Sequence, residues 1–403
     1  MSIDNAFSRT KIPDDVPTGL QSKQRLLEPF EWYHDKRQAE SIQFDPNRGV
    51  WDVFRYDDVK KIFHSPETFR RPDLSPRTES AADDPLKYIG DAMVWSDGSG
   101  HDTSKQNMFE HFTPRALKAI ESEIERIAKA ELEDHFTSGN PFDFVNEYAI
   151  PVTLKIPMKL VGVPESDYDQ ILEWIEIFDE VSLSEHSDRE SSNPEAMAET
   201  VEYFEALMAK RARNPQDDLI SLLVNQTPVG RRFIGANCFD ILFAGQGTMT
   251  DFLSNAIYLH GQQRIFDQDP DLEMETILEE VLRYRSPIQS QARRTTETVT
   301  VDGVEIPAEE RVICWIGAAN RDPNEYDNPD EFLPTRNPEH LAFGHGSHSC
   351  IGFRLARLEA PIILKTFFDA VGEIEVLNDQ IVPATTPQLL TYDQLPVRAT
   401  TDG

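Results

Sequence analysis

The chain has 403 residues and carries 71 acidic against 39 basic side chains, a net charge of −32. That length can bury a sizeable core, and that charge argues against a nucleic-acid-binding surface, which needs clustered Lys and Arg to neutralise phosphate. Three cysteines (Cys238, Cys314, Cys350) lie far apart without CxxC spacing, which indicates neither a disulfide framework nor a zinc ribbon.

The basic residues divide into 13 Lys and 26 Arg. An acidic, lysine-poor surface is expected of a halophilic protein, kept soluble in concentrated salt where a short Debye length screens self-repulsion; an ordinary acidic cytosolic protein is the alternative. The N-terminus, MSIDNAFSRTKIPDD, has no apolar core of the kind a secretory signal needs, and residues 1–25 read as loosely ordered. Gly49 to Tyr56 (GVWDVFRY) alternates and is rich in aromatic and β-branched residues, so it predicts a strand. From Asp57 to about Leu282 helical spacing dominates; Leu117, Ile120, Ile124, Ile127 and Ala128 share one face. The polar stretch SLSEHSDRESSN (182–193) reads as a mobile connection able to act as a lid. Phe233 to Leu259 is weakly charged, but Asn237, Asp240, Gln246, Thr248, Asp251 and Asn255 interrupt it, which excludes a bilayer-spanning helix.

Further along, Val299 and Val301, then Val304 and Ile306, flank Asp302-Gly303, a type I′ hairpin signal, and Val312 to Ile316 predicts another strand. No repeat or Pro/Gly linker divides the chain. The expectation is a single domain over 1–403, mainly α with a small β region, in a soluble cytoplasmic protein.

The most informative segment is Phe343 to Gly352, FGHGSHSCIG, followed by a helical pattern. A cysteine just before a helix sits among unpaired backbone N–H groups and the positive end of the macrodipole, both of which favour thiolate. Gly344 and Gly346 allow positive φ and close backbone approach to a flat ligand. From the residues alone Cys350 is a metal ligand or a nucleophile. A His/Cys zinc site with His340, His345 and His348, or a buried inert cysteine, are the competing readings.

The string F-G-x-G-x-H-x-C-x-G resembles the haem-binding loop of the cytochrome P-450 family, and the similarity extends over nearly the whole chain. The resemblance implies a triangular, mainly helical haem-thiolate monooxygenase. Cys350 would ligate the iron of haem b (iron protoporphyrin IX), its thiolate favouring O–O cleavage, with Phe343, Gly344 and Gly352 framing the site. It implies that Glu280 and Arg283, in E-x-x-R, form a structural pair with Arg336, whereas periodicity alone predicts an exposed salt bridge; Glu331 replaces a more familiar arginine. It implies that His101, Lys105, Arg293 and His348 hold the propionates, Lys105 standing where arginine is usual.

FDILFAGQGTMTDFL (239–253) resembles the distal helix. There Ala244 and Gly245 would face a ligand and Thr248 would direct protons, but Gly247 replaces the usual acid. Helix-interior glycines (235, 245, 247) cost about 1 kcal/mol each, so they need a reason. Asp251, one turn from Thr248, can substitute for the missing carboxyl. The resemblance further implies a monomer that uses O2, a small apolar organic substrate, and electrons from a ferredoxin and its reductase docking near Arg354 and Arg357. The substrate would meet 68–94, 165–200 and 288–291. Two alternatives accompany this reading: a peroxide-driven or isomerising haem-thiolate enzyme, and a non-catalytic haem or ligand-binding protein.

Overall fold

Short alternating strands near both ends of the chain converge on one sheet, while the long periodic segments between them form helices. The computed structural model describes residues 16–72, 92–135, 140–183, 193–226 and 230–400. Ile42–Asp45 (β1) pairs antiparallel with Val50–Val53 (β2), and Tyr56–His64 (α1) follows, ending the predicted strand earlier than Tyr56. Phe69–Arg70 (β3) is next, and then helices take over: Gly98–Phe109 (α2), Glu121–His135 (α3), Ile150–Val161 (α4), Tyr168–Leu183 (α5) and Pro194–Arg213 (α6). Arg231–Gln263 (α7) runs 33 residues and Met274–Tyr284 (α8) follows it. Gln291–Thr295 (β4), the hairpin Val299–Val301 (β5) and Val304–Ile306 (β6), and Arg311–Cys314 (β7) lead to Phe353–Val371 (α9).

The five-stranded sheet has the order β1-β2-β7-β4-β3. Its β2–β7 pair is parallel, with Val53 opposite Cys314, and the other pairs are antiparallel. Asp302 (φ 45°) and Gly303 (φ 79°) give the hairpin two successive positive φ values, as a type I′ turn demands. The predicted apolar face of 117–128 is buried throughout, although the segment is cut into Pro114–Leu117, a 3-10 turn at Lys118–Ile120, and α3.

α7 is apolar on several faces because it runs through the interior: Phe239, Leu242, Leu253, Ala256 and Ile257 are all fully buried. It lies along α4, while α9 packs on α3. Residues 16–25, expected to be loose, include a turn at Thr18–Leu20, with Leu20 buried, and the start of a helix at Lys23–Leu27. Residues 1–15, and 184–192 of the expected lid, lie outside the described residues. Among those described, no helix is long and apolar enough to cross a membrane.

Candidate active site

The loop ahead of α9 is folded back on itself by backbone hydrogen bonds. Cys350 N–H donates to Phe343 O (2.8 Å), Gly344 N–H to Leu341 O (2.8 Å) and Ser349 N–H to Gly346 O (3.2 Å). Gly344 (φ 68°) and Gly346 (φ 73°) take the left-handed conformations such a reversal requires. At 346 a Cβ would stand 2.4 Å from Phe63 O of α1, so no side chain fits there. Gly352 has an ordinary φ of −80°, and a Cβ there would meet Cys350 Sγ at 3.8 Å. It leaves the sulfur clear rather than serving a strained turn.

Cys350 lies deep within the molecule, yet its residue surface is accessible, so it opens on an interior recess. Burial pushes its thiol up, against the opposing pull of the Gly352 and Phe353 N–H groups, Lys105 and Arg357. The N–H groups at the start of the helix pull toward thiolate, as the sequence suggests, but burial outweighs them. A metal cation is what would tip the balance, since a coordinating thiol is deprotonated outright. Cys238 and Cys314 are fully buried, and burial pushes both thiols up, Cys314 to about 12.

The zinc alternative is not assembled. His340 Nε2 bonds Glu279 (3.2 Å), the His345 ring faces His64 (5.6 Å between centroids) and His348 Nε2–H donates to Asp97 Oδ1 (2.7 Å). Among the described residues no cluster of three His, Cys, Asp or Glu side chains suits a metal.

His101 and His348 come together, their rings 4.2 Å apart, and Arg293 is buried nearby with its guanidinium 4.7 Å from the Phe63 ring. His101 and Arg293 are 2% and 3% exposed, so neither is a solvated surface group. Burial raises the Asp97 carboxyl, but the His348 hydrogen bond and the Arg71 N–H (2.8 Å) hold it below its ordinary value. Arg71 and Trp95 were not singled out from the sequence; no spacing marks them. Arg71 Nε and Trp95 Nε1 are buried without partners, with the guanidinium 5.1 Å from the indole ring. Two orphaned donors beside two histidines and a buried arginine suit a ligand bearing carboxylates. A haem, with a soft iron for Cys350 and two propionates for these donors, fits the residues present.

Lys105 takes a different place. Its Nζ donates to Ser347 O (2.5 Å), Ser349 O (2.6 Å) and Ser349 Oγ (3.1 Å), clasping the cysteine loop from α2. A compact ammonium reaches three converging oxygens that a planar guanidinium would not.

Ala244, Gly247 and Thr248 of α7 line a cavity of about 310 Å³, which Arg71 and Trp95 also line. Thr248 Oγ1–H donates to Ala244 O (2.7 Å). Gly245 does not face this cavity; a Cβ there would touch Pro157 of α4 at 3.7 Å, so its smallness serves helix packing. At Gly247 a Cβ would meet nothing within 4 Å. Asp251, one turn beyond, is buried and lines the same cavity. Burial, only partly offset by a hydrogen bond from Thr391, holds its carboxyl well above the ordinary range.

Glu280 and Arg283 are both fully buried, unlike the exposed bridge that periodicity predicts. Arg283 Nε and Nη2 grip the two Glu280 oxygens at 2.8 and 2.7 Å, and Nη1 donates to Asn320 O and Pro329 O. Arg336 Nε reaches Glu280 Oε1 at 3.3 Å. Arg357 forms a two-pronged bond to Glu279 (2.6 and 2.8 Å) and Arg354 lies over Phe109 and Phe353. The basic patch expected at 354 and 357 is therefore half neutralised.

The sequence profile described as Cytochrome P450 matches residues 272–371. A putative cytochrome P450, YjiB, of Bacillus subtilis is 30% identical over 93% of this chain and 95% of its own length. Erythromycin C-12 hydroxylase of Saccharopolyspora erythraea is 31% identical over 91% and 92%. Among solved structures, P450BioI in complex with hexadec-9Z-enoic acid ligated acyl carrier protein aligns over 94% of this chain and 99% of its own, with a TM-score of 0.86 at 26% identity. CYP109E1 of Bacillus megaterium, in complex with testosterone, aligns over 94% and 100% with a TM-score of 0.82 at 28% identity. These relatives favour a monooxygenase over the peroxide-driven, isomerising and non-catalytic alternatives.

Proposed function

The chain belongs to the cytochrome P450 family, haem-thiolate monooxygenases that insert one atom of O2 into an organic substrate with electrons from a redox partner, and we propose that Cys350 is the iron ligand of its haem b. The observation that carries this assignment is Cys350, deep in the molecule yet with accessible residue surface, on a loop that two left-handed glycines fold back. His101, His348, Arg293 and the orphaned donors of Arg71 and Trp95 would hold the propionates, while Lys105 holds the loop itself.

When bound, the haem supplies the iron at which O2 is reduced. The side chains of α7 supply the protons. Thr248 Oγ1 has its proton directed at Ala244 O, on a side chain that lines the cavity. Gly247 offers no carboxyl to replenish that proton. Asp251, whose carboxyl burial pushes well above the ordinary range, is the acid that lines the same cavity one turn away. Leu172, Ile175 and Phe243 give the cavity apolar walls that position an organic substrate and exclude water. A small ferredoxin delivers electrons to the cysteine side of a monomeric enzyme; Arg354, half-buried over two phenylalanine rings, supports this reading.

The test is the absorption spectrum of the reduced protein under carbon monoxide. A strongly red-shifted Soret band that vanishes in Cys350→Ala supports thiolate ligation; an imidazole-type band, or a colourless protein after growth with ample haem precursor, overturns it.

A further inference from the structure

The substrate cavity has an unexpected charge balance. Glu176, Asp179, Asp240, Asp251 and Asp393 line it against the single cation Arg71, among the described residues. Glu176, Asp179 and Asp393 have partners of their own, and Asp251 accepts from Thr391. Asp240 differs. It is 5% exposed, it lines the cavity from α7, and its Oδ1 has no hydrogen-bond partner.

A buried carboxyl oxygen left unpaired is costly unless a ligand completes it. Arg71, the one cation that acts on Asp240, has its guanidinium against Trp95 and its backbone N–H on Asp97. Burial pushes the Asp240 carboxyl up to about 7, so it is poised to ionise against an arriving positive charge. Asp240, Ala244, Gly247 and Asp251 fall on one stripe of the helix at 3.6 residues per turn. Asp240 and Thr248 are eight residues apart, about 12 Å along the axis at 1.5 Å per residue.

Resting on the reading of this cavity as the substrate site, we propose that the enzyme takes an amphiphilic amine, whose ammonium group Asp240 anchors while the apolar part reaches the Thr248 end of the cavity for oxidation. The nitrogen is thereby held away from the iron, and oxygen enters a carbon remote from it. The chemistry is insertion of one oxygen atom of O2 into that C–H bond, while the second atom takes two electrons from the redox partner and two protons and leaves as water.

Decylamine, decanol and decanoic acid, titrated into the ferric holoenzyme by calorimetry and by optical spectroscopy, separate the possibilities. The expected result is that the amine binds roughly tenfold to a hundredfold more tightly than the alcohol or the acid, a charge-assisted bond's share of affinity, with a spectral change toward high spin. Asp240→Asn should erase that preference while leaving decanol affinity within about twofold, and Asp240→Glu should keep it. Preference for the acid, an unchanged amine preference in Asp240→Asn, or a low-spin spectrum of nitrogen bound to iron would overturn the proposal. An Asp240→Asn protein that fails to fold leaves the wild-type ligand order as the deciding measurement. A missing thiolate-type carbon monoxide band would instead count against the haem assignment, because calorimetry reads amine binding without the iron.

Discussion

Arg336 completes a buried carboxylate that Arg283 already grips from the other side: its Nε lies 3.3 Å from Glu280 Oε1, the oxygen that also takes Arg283 Nη2 at 2.7 Å and the Leu333 N–H at 2.9 Å. Through Arg283 Nη1 and Nη2 the same pair collects the carbonyls of Asn320, Pro329 and Glu331, tying α8 to the chain that leads into the cysteine loop. Removing one member of such a pair strands a buried charge. Glu280→Ala or Arg283→Ala should lower stability by about 3–5 kcal/mol and cause haem loss. Arg336→Ala, which removes the long bond to Glu280 and two exposed bonds to the Asp327 and Asn328 carbonyls but strands no buried cation, should cost less, about 1–2 kcal/mol. Denaturant unfolding followed by the Soret band ranks the three; equal costs would contradict the nested arrangement.

Much of this was legible beforehand, for reasons that differ by element. The Asp302-Gly303 hairpin follows from local turn chemistry, and the helix after Cys350 from spacing alone. The burial of Glu280 and Arg283 was not legible, because i,i+3 spacing says that two side chains meet but not what packs above them. Lys105 was expected on a propionate; its ammonium meets the Ser347 and Ser349 carbonyls of the cysteine loop, and nothing in a sequence marks where backbone carbonyls converge. Asp240 read only as a polar residue that rules out a membrane helix; its lack of a partner is a property of tertiary packing. Arg71 and Trp95 carry no spacing signal at all.

The Lys105 clasp separates two roles for that side chain. A propionate contact would be restored, and improved, by Arg in its bidentate geometry. Three oxygens converging on one ammonium would not be. Lys105→Arg should therefore behave more like Lys105→Ala than like wild type, each accelerating haem transfer to a high-affinity acceptor roughly tenfold, consistent with the loss of one or two charged hydrogen bonds. Wild-type retention in Lys105→Arg would return the residue to the propionate set.

Glu279 gives an acid-side signature. Burial raises its carboxyl, but the bonds from Arg357 and His340 outweigh that and bring it down to about 2. A folded-state value below the unfolded one means the contribution is fully present above about pH 4.5 and is lost as pH falls toward 2. Glu279→Gln should flatten the stability profile in that window, removing on the order of 2–3 kcal/mol at neutral pH. Parallel profiles for the two proteins between pH 2 and 4.5 would show that the pair is not coupled to folding.

Gly247 makes a gain-of-function substitution available. A Cβ at 247 meets nothing within 4 Å, and replacing a helix-interior glycine recovers some fraction of about 1 kcal/mol. Gly247→Asp places a carboxyl beside Thr248 and should raise the fraction of consumed electrons that appear in product. Thr248→Val should lower it tenfold or more, as expected when a positioned proton donor is removed. Asp251→Asn should lower it in the wild type but much less in Gly247→Asp, where the new carboxyl takes over. The ratio of product formed to reductant oxidised reads the wild type and all four variants; additive losses would mean that Asp251 and position 247 do not share one proton route.

The excess of 71 acidic over 39 basic side chains predicts a salt requirement, and one surface shows its cause. Asp57, Asp58, Asp302, Asp322 and Glu325 crowd around Arg55. Burial raises Asp58 with Asp302 adding to it, and burial raises Glu325 with Asp57, Glu339 and Asp322 adding to it despite Lys60. Raised folded-state values mean that these groups favour the fold at low pH and that their contribution is lost as pH rises through them, so at neutral pH they oppose it. The Debye length falls from about 30 Å at 0.01 M to about 3 Å at 1 M salt, which screens that repulsion. The Tm should therefore climb with KCl between 0.01 and about 1 M, and at 0.01 M it should also climb as pH falls from neutral toward the ordinary carboxylate range. Salt and mild acid act on the same repulsion, so the pH effect should shrink at 1 M; a Tm indifferent to both would leave the acidic surface without an energetic role in the fold.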